Sequence, residues 1–286
     1  MMGRSVTAWI FLAPALILLA VFSFWPVGYG SYLAFTDYSL IRPTHWAGLD
    51  NFRYIFENEM FVTGLRNSLI FLIMVPLVQI GALSLAVLVN NKLPGIKLFR
   101  AAYYVPVVTT VSVVGIMWGF MFHEQGALNY VLMAAHIVDA PIGWLQDPSL
   151  ALAAIMFVTM WRGLGWYMVM YLAALQSVPA DMQEAAILDG ATKWQRFWKI
   201  TVPMLRPTIM VCSILSVLAA LKAYQEVDVL TQGGPMNSTF TALYYAYDQG
   251  LKHLKLPRAL AASFVVSLIC IGIALLCLRY LKPRHR

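Results

Sequence analysis

The side chains best able to do chemistry in this sequence are few, and they sit where charge is expensive. Arg162 is the one charged residue in a run from Ser149 to Leu175, 27 residues long. A charge that deep in an apolar stretch pairs with a neighbouring helix, reaches for water or lines a path. Trp161, Trp166 and Tyr167 flank it and offer aromatic faces to a ring-shaped solute. Tyr224, Gln225, Glu226 and Asp228 form a second group at the end of another apolar run. Lys222 and Glu226 are four apart on one helical face and read as an intrahelical pair. Asn67 and Gln79 add donors and acceptors in a third run. These groups hydrogen-bond and stack, which suits a hydroxyl-rich solute. Plain interhelical hydrogen bonding uses the same groups.

Bond-making chemistry has no comparable footing. No nucleophile–base–acid arrangement, pair of catalytic carboxylates or metal cluster stands out. His45, His123, His136 and His253 are scattered, without metal-ligand spacing. Cys212, Cys270 and Cys277 lie inside apolar stretches, as small buried residues do. No Gly-x-x-x-x-Gly-Lys-Ser/Thr loop is present, so no bound nucleotide or other cofactor is expected on this chain. Asp37, Asp50, Glu57 and Glu59 make one polar segment acidic, either as a solvated rim or as a surface for a soluble partner.

The elements that must hold these residues are membrane spans. Apolar residues make up 60% of the chain and charged residues 12%, with a mean hydropathy of +0.71. Soluble domains carry roughly 45–50% apolar and about 25% charged residues. A bilayer core about 30 Å thick needs roughly 20 apolar residues in a helix. Six runs qualify, at about 8–29, 68–89, 101–122, 149–175, 208–229 and 259–278. Pro14, Pro76 and Pro106 fall inside spans, where neighbouring helices re-satisfy freed backbone groups. Gly115-x-x-x-Gly119 permits close helix packing. The first run is longer than a signal-peptide core, and Trp25-Pro26 replaces a small-residue cleavage site, so it reads as a retained anchor. The chain is thus expected to be an all-α integral membrane protein, one transmembrane domain over 1–286. Short outer helices are expected near 51–58 and 238–250.

Six crossings leave both termini on one side. With them inside, cytoplasmic segments hold 12 Lys and Arg, from Arg4, Lys92, Lys97 and Arg100 through the 193–206 group to Arg286, against 7 outside. The positive-inside rule therefore places both termini in the cytoplasm. The net charge of +7 is a topology signal, and no nucleic-acid partner is expected.

The cytoplasmic loop over 176–206 is too polar to span and too patterned for a connector. Pro179 suits a first helical turn, Asp181 and Glu184 suit the positive end of a helix, and Gly190 suits its left-handed stop. Thr192 and Gln195 have capping-box spacing for a second helix. There Trp194, Phe197 and Trp198 share one face and Lys193, Arg196 and Lys199 another, and Pro203 and Pro207 end it before the fifth span. Such a stripe lies flat on anionic lipid headgroups or docks into a groove of a partner protein, and physics alone leaves both open.

Glu184-Ala185-Ala186, Asp189-Gly190-Ala191 and Ile200-Thr-Val-Pro203 closely resemble the EAA signature of permease subunits of binding-protein-dependent ABC importers. Leu12-Ala-Pro-Ala15, Trp46-Ala-Gly-Leu-Asp-Asn-Phe52 and Thr231-Gln-Gly-Gly-Pro235 resemble segments of the carbohydrate type, the maltose and glycerol-3-phosphate group. The likeness runs over nearly the whole chain and points to the first of two non-identical permeases. It implies the type I importer permease fold and coupling through Glu184, Ala185, Ala186, Asp189, Gly190 and Pro203. It implies as partners a second permease, two ATP-binding subunits carrying ATP and Mg, and a solute-binding protein, in a prokaryotic plasma membrane. The path for a sugar would then use Arg162, Trp161, Trp166, Tyr167, Tyr224, Gln225 and Asp228, by alternating access. A phosphorylated substrate calls for clustered cations. Arg162 alone points to a neutral sugar, with glycerol 3-phosphate or another polyol as the alternative. A self-contained secondary transporter would need intramembrane carboxylates, which are scarce here.

Overall fold

A chain buried in hydrocarbon must satisfy every backbone N–H and C=O internally, which leaves helices or a closed barrel. The computed structural model, which describes residues 4–39, 41–90 and 95–281, resolves this in favour of helices. Lys92, Lys282, Arg284 and Arg286, counted above for orientation, lie outside the described residues.

The helices are α1 (Ala8–Leu33), α2 (Asp50–Glu57), α3 (Glu59–Val89) and α4 (Ile96–Val108). They continue with α5 (Val111–Met121), α6 (Ala127–Ala134), α7 (Ala151–Gln176) and α8 (Ala180–Leu188). Then follow α9 (Lys193–Leu221), α10 (Gln225–Leu230), α11 (Ala242–Tyr247) and α12 (Leu256–Leu281). Among the described residues α1, α3, α7, α9 and α12 are long and apolar enough to cross a membrane, and α4 with α5, bent by 105°, makes either a sixth, broken crossing or a re-entrant loop.

Three elements differ from the sequence expectation. The 101–122 run is two helices bent by 105° at Thr109-Thr110, both extended. The 208–229 run stops at Leu221; Lys222 closes α9, and Gln225–Leu230 is a separate helix. The helix that carries Lys193–Lys199 is not set apart by Pro203. It runs through a π turn at Phe197–Thr201 straight into the fifth span, and Pro203 and Pro207 lie within that continuous helix, each without an N–H to give.

In lipid, helices associate through close packing and hydrogen bonds between them. α3 and α7 make the most extensive contact; α9 packs on both, and α12 packs on α9, α11 and α2. The outer core gathers Phe61, Phe71, Ile155, Val227, Tyr244 and Tyr245; the inner core gathers Ala82, Ala86, Met168, Tyr171 and Leu205. Gly165 lets α4 touch α7: a Cβ there would fall 1.9 Å from the Tyr103 carbonyl oxygen. Gly115 likewise admits Val229 of α10 against α5, whereas Gly119 faces nothing within 4 Å. Asn67 donates to the carbonyls of Ser238 and Phe240 at 2.7 and 2.8 Å, tying the outer loop to α3. Gln79 donates to the Cys212 carbonyl and accepts from Tyr171. Both side chains are therefore interhelical ties. By contrast, no residue over 8–32 is buried, and α1 meets the bundle only near its end, against α12.

Candidate functional site

A cavity of about 560 Å³ opens among α3, α7, α9 and the start of α10. Arg162, Trp166 and Tyr167 line it from α7, and Tyr224, Gln225 and Glu226 from the α10 end. Five of the seven residues expected to meet a solute are thus brought together. Trp161 and Asp228 are not. Trp161 points the other way, edge-on to Trp118 at 5.4 Å, within an apolar cluster with Val114, Phe122 and Trp144. Five residues along a helix turn a side chain by about 140°, so Trp161 and Trp166 do not share a face.

Asp228 faces the outer segment instead, where Lys252 Nζ stands 3.5 Å away. Lys252 also donates to the Tyr244 hydroxyl at 2.7 Å, lies over the Tyr244 and Tyr247 rings and approaches Asp248 at 3.8 Å. The Tyr244 hydrogen bond, first among these contacts, holds the Lys252 ammonium above its ordinary pKa. Burial pushes the Tyr244 hydroxyl up as well.

The intrahelical pair expected between Lys222 and Glu226 does not form. The helix ends between them, and Glu226 accepts from Arg162 Nη1 at 2.9 Å across 64 residues of sequence. The Glu226 side chain is 10% exposed and that of Arg162 30%. An intramembrane cation requires an anion, and Glu226 is the first carboxylate after it in an apolar run. That signal was available in the sequence but lost to local spacing. Lys222, Ser216 and Thr159 also line the cavity and were not among the expected site residues.

The 176–206 loop is built as its residues dictate. α8 ends in a Schellman motif: Gly190, at φ 75°, donates to Ile187, and Ala191 donates to Ala186. Thr192 and Gln195 then complete a reciprocal capping box. Gln183 donates to Thr201 Oγ1 at 3.2 Å, bracing α8 against α9. Nothing over 176–204 is buried: Glu184, Ala185, Asp189 and Gly190 are exposed and Ala186 half-buried. Leu188 is 88% exposed and Trp194 70%. A smaller pocket of about 310 Å³ sits in the angle of the turn, lined by Asp189, Gly190, Gln195, Arg196 and Lys199.

Known proteins share this arrangement. The chain is 34% identical to a lactose transport system permease protein of Rhizobium radiobacter, over 99% of its own length and 95% of that protein's. It is 28% identical to an sn-glycerol-3-phosphate transport system permease protein of Agrobacterium fabrum, over 98% and 96% of the two chains. The crystal structure of a bacterial ABC transporter involved in import of the acidic polysaccharide alginate has the same fold. Its TM-score is 0.85 at 23% identity, over 100% of this chain and 98% of that one. The family model of binding-protein-dependent transport system inner membrane components matches residues 61–286. A multi-pass helical bundle with a cavity that carries a few polar side chains and an exposed, tightly capped loop is thus joined to that match, and the chain belongs to the family of binding-protein-dependent transport system inner membrane components.

Proposed function

We propose that this permease passes a carbohydrate through the α3–α7–α9 cavity and is driven by ATP hydrolysis on separate subunits that dock on the 176–206 loop. The observation that carries the reading is the continuity of α9. One helix, Lys193–Leu221, supplies both the base of the exposed loop and a wall of the cavity. A push at the loop is therefore carried to the solute path along one helix, through the π turn at Phe197–Thr201.

Depth favours a protein groove over lipid as the partner of the loop. Arg162 lies near the middle of α7, and Leu218 shares the cavity wall with it. At 1.5 Å per residue, Trp194 stands about 36 Å along α9 from Leu218. Half a hydrocarbon core is about 15 Å and a headgroup layer adds roughly 6 Å. On that placement the exposed Trp194 and Trp198 fall beyond the headgroups, where an apolar stripe needs a protein groove. One such chain has too few helices to enclose a carbohydrate path. A second permease beside it, two ATP-binding subunits below and a solute-binding protein outside complete the assembly, which works by alternating access. The family description itself supports dependence on a binding protein. ATP and Mg would then be held by the partner subunits. Glu226, which an ion-coupled carrier would need free, is held by Arg162.

Glu184→Lys and Gly190→Pro test the coupling. The first reverses a charge on an exposed helix face, and the second forbids the positive φ of the Schellman stop. Both variants should insert and retain the cavity. Substrate uptake in the assembled importer should fall at least about tenfold while basal ATP hydrolysis persists, as for loss of an interface hot spot. Normal uptake by both variants would remove the docking assignment.

A further inference from the structure

The cavity wall carries more positive than negative charge. Arg162 is matched by Glu226 at 2.9 Å. Lys222 is the remaining charged residue on the wall, and its side chain makes no ion pair or hydrogen bond among the described residues. It stands at the C-terminal end of α9, where the last carbonyls contribute about half a negative charge. That tolerates an ammonium without neutralising it. Lys222 is exposed and shares the cavity wall with Arg162, which lies mid-way along α7. Beside it the wall offers the rings of Trp166 and Tyr224 and the hydrogen-bonding ends of Ser216 and Gln225.

We infer that the cavity receives a carbohydrate bearing one anionic group, a carboxylate, phosphate or sulfonate, with Lys222 as the residue that selects for the charge. The inference rests on the carbohydrate reading above and narrows it. The expectation of a neutral sugar weighed Arg162 as the sole cation; the fold engages Arg162 and brings Lys222 to the wall in its place. The volume of about 560 Å³ holds a monosaccharide or disaccharide. The mechanism of selection is charge complementarity, through an ammonium–anion hydrogen bond that is roughly twice as strong as a neutral one.

The test uses the membrane complex of this chain with its co-purified permease and ATP-binding subunits in lipid nanodiscs, free of binding protein. Calorimetry compares matched pairs: lactose with lactobionate, methyl glucoside with methyl glucuronide, glycerol with sn-glycerol 3-phosphate. The acidic member of at least one pair should bind at least about tenfold more tightly than its neutral twin, as for one charge-assisted hydrogen bond. Lys222→Gln should erase that preference, and Lys222→Arg should keep it. Glu226→Gln leaves Arg162 unmatched and should strengthen the preference. Equal binding within every pair would overturn the inference and leave the carbohydrate reading standing, as would a preference that survives Lys222→Gln or fails to rise in Glu226→Gln. Binding of no member of any pair would overturn both.

Discussion

Arg162 shows how far a residue's role depends on a partner the local sequence does not name. Its type and depth in an apolar run already mark it as functional or paired. Spacing offered Lys222 to Glu226 instead, because i and i+4 neighbours meet on any unbroken helix. The break at 222–224 undoes that, and the pair forms between α7 and α10. Removing one partner strands the other in a low dielectric, which costs more than removing both. Arg162→Gln should lower stability by about 2–4 kcal/mol, less than a fully buried pair because the guanidinium is partly solvated. Arg162→Met with Glu226→Met should cost less than either single change. Thermal melts of these variants and the parent in one detergent decide this, and singles that melt like the parent would show the pair to be dispensable for the fold.

At the scale of elements, what was legible was what hydropathy measures. Five spans and the capped turn of the 176–206 loop follow from run length, Pro179, Gly190 and the Thr192–Gln195 spacing. The break in the 101–122 run does not, since Thr109 and Thr110 are as apolar-compatible as their neighbours and hydropathy is blind to backbone dihedrals. The early end of α9 is set from outside the helix, where Thr241 takes the Ala223 carbonyl as a hydrogen-bond partner. Within the candidate site, helix rotation was readable in principle: Trp166 and Tyr167 reach the cavity and Trp161 cannot. Lys222 was not readable, because its place on the wall depends on where α9 stops. The contact of α4 with α7 gives a sharp test. Gly165→Ala places a methyl 1.9 Å from a carbonyl oxygen that cannot rotate away, whereas Gly163→Ala meets its nearest atom at 3.4 Å. The first should cost about 1–3 kcal/mol by overpacking and the second little. Equal melting temperatures for the two would mean that α4 moves aside freely.

For the whole molecule, orientation rests on the distribution of basic residues, and it can be read by chemistry from either face. In a background with Cys277→Ser, the two buried cysteines should stay silent to a membrane-impermeant maleimide. His45→Cys should then react in intact cells and Thr192→Cys only in inside-out vesicles. The reverse pattern would invert the charge assignment.

The unbroken run of α9 has a further consequence, best stated as leverage. Its 29 residues make a rod of about 43 Å. Tilting that rod by ten degrees about its loop end sweeps the far end through about 7.5 Å, more than one helical pitch of about 5.4 Å. The π turn at Phe197–Thr201 sits near the fulcrum, so bending there would change the stroke delivered to the cavity without altering any residue that lines it.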